Sequence, residues 1–348
     1  MKNLDINHKE KIFSLHLNSN NPNNFERFCK SFIENMENPY SIEIIVHIDT
    51  NDELMKKKID KINSSYNIIR YIETSLINNF NDAWKPINLL LKQTSRSVKV
   101  VTCLSDDIIM ISNNWDKIIY NHFYKYEDQI FRIRCSQYKN ETYSDIWECG
   151  FKPDFSFYSK KWLDIVGFWN PCVGPDTFQE TVSYYLNLYG KKFNRSIIDQ
   201  KLTFKGEETL TGLNLRQRIK RAKLGYKSFS DLISYKNQEK AKFAAYKLAN
   251  AIDNNERHYE KLNFFRHTIQ NLYKKLYFFH YRGTKSLLTS SFIFNISFII
   301  WCKINILDNS LVKFIIYLEK KKFLKKIITN KVQYKKLKEA IRNSEYSS

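Results

Sequence analysis

Apolar positions in the first 200 residues follow two patterns that alternate along the chain. One is a short run rich in β-branched residues, as at residues 11–17 (Lys-Ile-Phe-Ser-Leu-His-Leu), 41–49, 66–72, 98–105 and 129–135. Such runs are too short for independent helices and suit a buried, pleated surface. In the other, apolar side chains return every three or four residues: Phe25, Phe28, Phe32 and Ile33 give residues 24–35 one apolar face. Residues 54–62, 87–93, 114–126 and 177–189 are read as helices too. Polar stretches at 18–24, 80–86 and 170–176 separate the elements as turns. Strands alternating with helices at this spacing predict an α/β fold with a mainly parallel sheet flanked by helices.

At 348 residues the chain can bury one large core or two smaller ones, and 43 % hydrophobic with 15 % aromatic residues excludes a disordered chain. A formal charge of +20 makes a surface that attracts anions, whether nucleic acid, anionic lipid headgroups or a phosphorylated substrate. The chain has 8 glycines and neither a Gly-x-Gly-x-x-Gly nor a Walker A sequence, which argues against a glycine-rich phosphate loop and leaves that role to a cation. Six cysteines, at 29, 103, 135, 149, 172 and 302, form no Cys-x-x-Cys pair and lie mostly in apolar segments. They fit reduced, buried thiols of a cytosolic protein. Residues 1–11 are polar and lack the apolar stretch of a secretory signal, so the chain is expected not to be exported.

The candidate chemistry begins at residues 98–110, Val-Lys-Val-Val-Thr-Cys-Leu-Ser-Asp-Asp-Ile-Ile-Met. This apolar run delivers two adjacent carboxylates, Asp106 and Asp107, at the carboxyl end of a predicted strand, where open α/β sheets place their ligands. Oxygen donors there suit Mg²⁺ or Mn²⁺; a turn, or an N-cap for the following residues, is the alternative use of the pair. Asp176 is likewise placed both to cap the helix at 177–189 and to act catalytically.

Taken together, residues 12–210 resemble the family-2-like inverting glycosyltransferases with the A-type (GT-A), Rossmann-like nucleotide-diphospho-sugar-binding fold. Four features carry the resemblance, in order: the first strand with its polar turn, the second strand ending at Asp49, Leu104-Ser105-Asp106-Asp107, and the segment 157–180. Ser105 stands where the family's metal motif has its first Asp. The resemblance implies that Asp107 holds the metal and Asp106 faces the ribose or diphosphate, or the reverse. It implies that His16, Asn18, Ser19, Asp49 and Asn88 line the nucleotide and that Asp176 is the general base, with Trp147, Glu148 and Glu180 on the acceptor side. The activity implied is metal-dependent sugar transfer, with inversion, from a nucleotide-diphospho-sugar to a glycan or glycolipid acceptor in surface polysaccharide or glycoconjugate synthesis.

The catalytic domain is expected to span residues 1–225, and residues 226–348 to form a basic helical region. Residues 236–250 and 256–277 look helical, and 216–223 are densely basic. Residues 287–301 are uncharged but shorter than the roughly 20 needed to span a bilayer, and read as an interfacial or buried helix. Residues 313–342 set apolar positions on a lysine-coated helix, a pattern suited to an anionic membrane surface at about 1 kcal/mol per basic residue. The expected location is the cytoplasm, peripheral to the inner face of the membrane. A nucleic-acid partner would use the interleaved Tyr273, Tyr277, Phe278, Lys274, Lys275 and Arg282, but no nucleic-acid-binding motif accompanies them. A catalytically inactive scaffold on the same fold is the further alternative, motivated by Ser105.

Overall fold

The structure is a computed structural model and describes residues 10–75, 84–135, 155–172, 175–199, 201–206, 230–265, 267–268 and 271. Strands β1 (Phe13–Asn18), β2 (Ile42–Asp49), β3 (Ile69–Thr74) and β4 (Val100–Cys103) run parallel. Between them in sequence lie α1 (Pro22–Glu34), α2 (Glu53–Tyr66) and α3 (Trp84–Lys92). There follow β5 (Ile108–Met110), α4 (Trp115–His122), β6 (Arg132–Cys135), β7 (Ser156–Ser159), α5 (Lys160–Val166) and α6 (Pro175–Asn187). Then come β8 (Ser196–Asp199), β9 (Phe204–Gly206) and α7 (Tyr235–Asp253). The seven-stranded sheet has the order β3-β2-β1-β4-β7-β6-β8, and β5 pairs with β9 as a separate ribbon. β7 is antiparallel to both its neighbours, whereas β8 is parallel to β6. The predicted α/β architecture with a mainly parallel sheet is the one observed.

Strand pleating divides the apolar residues between two cores. Along β2, Ile44, Val46 and Ile48 enter the core beneath α1, α2 and α4, while Ile45 enters the core beneath α3, α5, α6 and α7. Both faces of the sheet are covered, which is why the central strands are nearly continuous in apolar residues. The helix face read from the sequence is the buried one: Phe25, Phe28, Phe32 and Ile33 all lie in the first core.

Element ends follow local capping chemistry. α1 starts two residues before the predicted Asn24, because Asn21 Oδ1 accepts from the amides of Asn23 and Asn24, each at 3.1 Å, and Pro22 fits the first helical position. α2 runs on to Tyr66, where the left-handed Asn67 (φ 49°) ends it, so the third strand starts at Ile69 rather than at 66. Asn254 (φ 51°) ends α7 in the same way, and residues 256–263 are not helical, against the expectation for 256–277. β5, β8 and β9 are three or four residues long, too short to show a period.

α7 opens the expected C-terminal region, yet its face of Ala241, Ala244, Ala245 and Leu248 lies in the second core with Trp162 of α5 and Val182 of α6. Cys29, Cys103 and Cys172 are buried thiols that form no disulfide among the described residues. Among the described residues no helix is long and apolar enough to cross a membrane; residues 287–301 and 313–342 lie outside them.

Candidate functional site

Strand order reverses at the β1/β4 boundary: the chain leaves β1 for β2 on one side and returns to β4 on the other. In open α/β sheets that reversal opens a crevice beyond the carboxyl ends of the two strands. The chain beyond β1 brings Ser19 there, and the chain beyond β4 brings Asp106 and Asp107. Leu104 N donates to His16 O at 2.9 Å, extending β4 along β1, and Ile108 N donates to Ser105 O at 3.2 Å. That second bond closes a tight turn with Asp106 and Asp107 at its two central positions. The turn and the ligand site are therefore the same feature. The N-cap alternative does not apply, since the next element is β5.

Ser19 Oγ donates to Asp106 Oδ2 at 2.6 Å, across 87 residues of sequence. Burial raises the Asp106 carboxyl above its ordinary value, the Ser19 hydroxyl offsets this, and the neighbouring Asp107 charge adds to it. Asp107 and Asp49 are half-buried, and their carboxylates accept no hydrogen bond among the described residues. Asp49 ends β2 beside Thr74 of β3, where His47 Nε2 and Thr74 Oγ1 lie 2.9 Å apart. The sheet thus sets Asn18, Ser19, Asp49, Asp106 and Asp107 at one end, with Arg27 of α1 near enough for its charge to act on Asp106.

Two residues expected at the nucleotide are used inside the protein. His16 is fully buried: Trp169 Nε1 donates to its Nδ1 at 2.9 Å, and its Nε2 lies 2.9 Å from Ser14 Oγ and 3.1 Å from Thr94 Oγ1. Burial drives its pKa down to about 3, with smaller contributions from the charges of Lys160 and Arg70. With both ring nitrogens engaged, His16 braces β1 against the 169–170 loop and offers nothing to a ligand. Asn88 acts on the same loop: its Oδ1 accepts from Trp169 N at 2.8 Å and its Nδ2 donates to Asn170 O at 2.7 Å.

Glu180, expected on the acceptor side, is 3 % exposed. It forms an ion pair with the fully buried Arg132, whose Nε donates to Ser196 Oγ at 2.6 Å. Next to it, Gln179 accepts from Trp162 Nε1 at 2.9 Å and donates to Trp169 O at 2.7 Å. Arg132, Gln179 and Trp169 thus tie α6 to β6, α5 and the 169–170 loop, and the sequence carried no periodic signal for them. Asp176 is the second residue of α6, inside the helix rather than at its cap. The side chain of Asp176, and all of Trp147 and Glu148, lie outside the described residues.

Among the described residues no three His, Cys, Asp or Glu side chains cluster to hold a metal. A divalent cation of the Mg²⁺ type is commonly held by one or two carboxylates plus substrate phosphates, and the turn at Asp106 and Asp107 fits that donor set.

The mainly parallel sheet, flanked by helices and carrying an acid pair at its reversal point, is the GT-A nucleotide-diphospho-sugar-binding fold of glycosyltransferases. The structure is similar to the mannosyltransferase PcManGT from Pyrobaculum calidifontis in complex with GDP-Man and Mn²⁺, with a TM-score of 0.50 and 9 % identity, covering 90 % of this chain and 87 % of that one. S. aureus TarS 1-349 in complex with UDP-GlcNAc aligns with a TM-score of 0.45 and 13 % identity over 77 % of this chain and 81 % of that one. No protein-family model matches the sequence, and no curated protein matches it.

Proposed function

We propose that the protein is a metal-dependent, inverting glycosyltransferase that moves a sugar from a nucleotide-diphospho-sugar to a glycan or glycolipid acceptor. The observation that carries this reading is the Asp106–Asp107 turn at the reversal point of a GT-A sheet, tied to Ser19 at 2.6 Å. It is supported by the similarity to PcManGT, solved with GDP-Man and Mn²⁺.

In this reading Asn18, Ser19 and Asp49 line the nucleotide, and the Asp49 carboxylate accepts a hydrogen bond from the base. Asp107, with Asp106 as the alternative ligand, would hold Mn²⁺ or Mg²⁺. A divalent cation held there would supply positive charge to offset the negative charge developing on the departing nucleoside diphosphate. Ser19 keeps Asp106 oriented through its hydroxyl. Asp176 takes the proton from the acceptor hydroxyl as that oxygen attacks the anomeric carbon and the bond to the diphosphate oxygen breaks. A single base and in-line attack invert the anomeric configuration. Trp147 and Glu148 serve the acceptor, whereas Glu180 supports α6 from within. The basic region after residue 226 docks on the anionic inner face of the membrane, consistent with a lipid-linked or surface-polysaccharide acceptor.

A panel of nucleotide sugars, each assayed with and without Mn²⁺ for thermal stabilisation and hydrolysis, tests the reading. One donor is expected to raise Tm and to be hydrolysed only with the metal. If none shifts Tm, the enzyme reading fails and the inactive scaffold stands. Full activity in Asp107→Ala would remove the metal assignment alone.

A further inference from the structure

A second site lies at the opposite end of the sheet from the acid pair. Arg96, Lys99, Lys160 and Lys161 surround a surface cavity of about 270 Å³, which Gln129 and Asp164 also line. Val98, Phe123 and Ser159 are all buried and form its floor. The four cations come from two chain segments: residues 96–99 precede β4, and residues 160–161 follow the antiparallel β7. Lys160 N donates to Lys99 O at 2.7 Å, which locks the two strand ends together. Ser159 is fixed as well, since its Oγ accepts from Phe131 N at 3.2 Å and Trp162 N at 3.3 Å.

Within this cluster Lys160 is paired with Asp164. Arg96, Lys99 and Lys161 make no ion pair among the described residues. Four cations facing one carboxylate repel one another, and an anion seated between them relieves that repulsion. A phosphate group offers several strong acceptor oxygens to converging ammonium and guanidinium donors, and the apolar floor accommodates a small organic substituent on it. Val98 lies about 20 Å from Leu104, six residues on at about 3.3 Å per residue, and Asp106 lies beyond Leu104. The donor diphosphate at the acid pair therefore cannot reach this cavity.

We infer that the cavity is a binding site for a phosphate group, carried by a lipid headgroup or by a soluble phosphate compound, and independent of the donor site. The full chain is titrated with tripolyphosphate by calorimetry and with phosphatidylglycerol–phosphatidylcholine vesicles by co-sedimentation. Each probe is measured against wild type, Lys99→Glu with Lys161→Glu, and the control pair Lys57→Glu with Lys191→Glu. All four lysines are exposed, so the variants are expected to keep the wild-type Tm. The cavity variant is expected to weaken at least one probe by about tenfold or more, and the control to stay within about twofold of wild type. Loss confined to vesicles identifies a lipid headgroup as the source, loss confined to tripolyphosphate a soluble phosphate, and loss of both the phosphate group itself. Equal weakening by the two variants assigns the binding to diffuse surface charge and overturns the inference, as does failure of the wild type to bind either probe. Asp107→Ala is expected to bind both probes as wild type does, which separates this site from the donor reading.

Discussion

His16 is expected to set much of the change in stability between pH 7 and pH 5. The folded chain holds this imidazole neutral, with a pKa of about 3 against 6.5 for the free side chain. The unfolded chain therefore takes up the proton first, so the contribution of His16 is intact above about pH 6.5 and is lost as the pH falls toward 3. The gap of roughly 3.5 pH units, at about 1.36 kcal/mol each, amounts to about 5 kcal/mol over the whole range, of which about 2 kcal/mol falls between pH 7 and pH 5. Urea unfolding followed by tryptophan fluorescence at pH 7, 6 and 5 measures this in wild type and in His16→Gln. The glutamine can accept the Trp169 Nε1 hydrogen bond but does not titrate. Groups common to both proteins cancel in the comparison, among them His47, whose pKa is also lowered by burial. Wild type should lose about 2 kcal/mol more than the variant on going from pH 7 to pH 5. Equal losses would refute the reasoning.

Glu180→Ala should cost about 3–5 kcal/mol in the same unfolding assay, because it strips a buried guanidinium of its carboxylate, and Glu180→Leu combined with Arg132→Met should recover most of that loss. A cost below about 1 kcal/mol for the single change would mean that the pair is solvated after all. Asp106→Asn keeps an acceptor for Ser19 but removes a carboxylate whose pKa burial has raised. It should raise Tm at pH 7, by an amount that shrinks as the pH falls and the wild-type carboxyl protonates, while donor hydrolysis is lost; a lower Tm at pH 7 contradicts the charge argument. Removing residues 287–348 should abolish co-sedimentation with anionic vesicles, and undiminished pelleting would place the membrane contact elsewhere.

The β-branched runs at 41–49 and 98–105 and the phenylalanines of α1 were legible because burial on a sheet or under a helix imposes periods of 2 and about 3.6. The position of Asp106 and Asp107 just past the end of β4 was legible because the apolar run stops at Leu104. His16 misled for a physical reason. It lies on the face of β1 opposite Phe13, Leu15 and Leu17, and alternation alone suggests that this face is open. In a sheet covered on both sides the polar residues of the second face go inward, and Trp169, 153 residues away, supplies the partner. Glu180 was hidden in the same way, since its partner Arg132 is 48 residues distant. The antiparallel direction of β7 and the short strands β5, β8 and β9 depend on pairing between distant segments, which local pattern does not encode.

The small-residue face of α7 has a mechanical consequence. Alanines at 241, 244 and 245 let it lie close to α6, Tyr185 Oη donates to the buried Gln238 Oε1 at 2.9 Å, and Lys247 Nζ reaches Val166 O of α5 at 3.3 Å. α6 begins at Pro175–Asp176. Tension applied to the chain beyond α7, such as anchorage on a surface would produce, is thus not absorbed by a slack tether. Force that reaches α7 would pass through these packed side chains into α6, whose first turn holds Asp176.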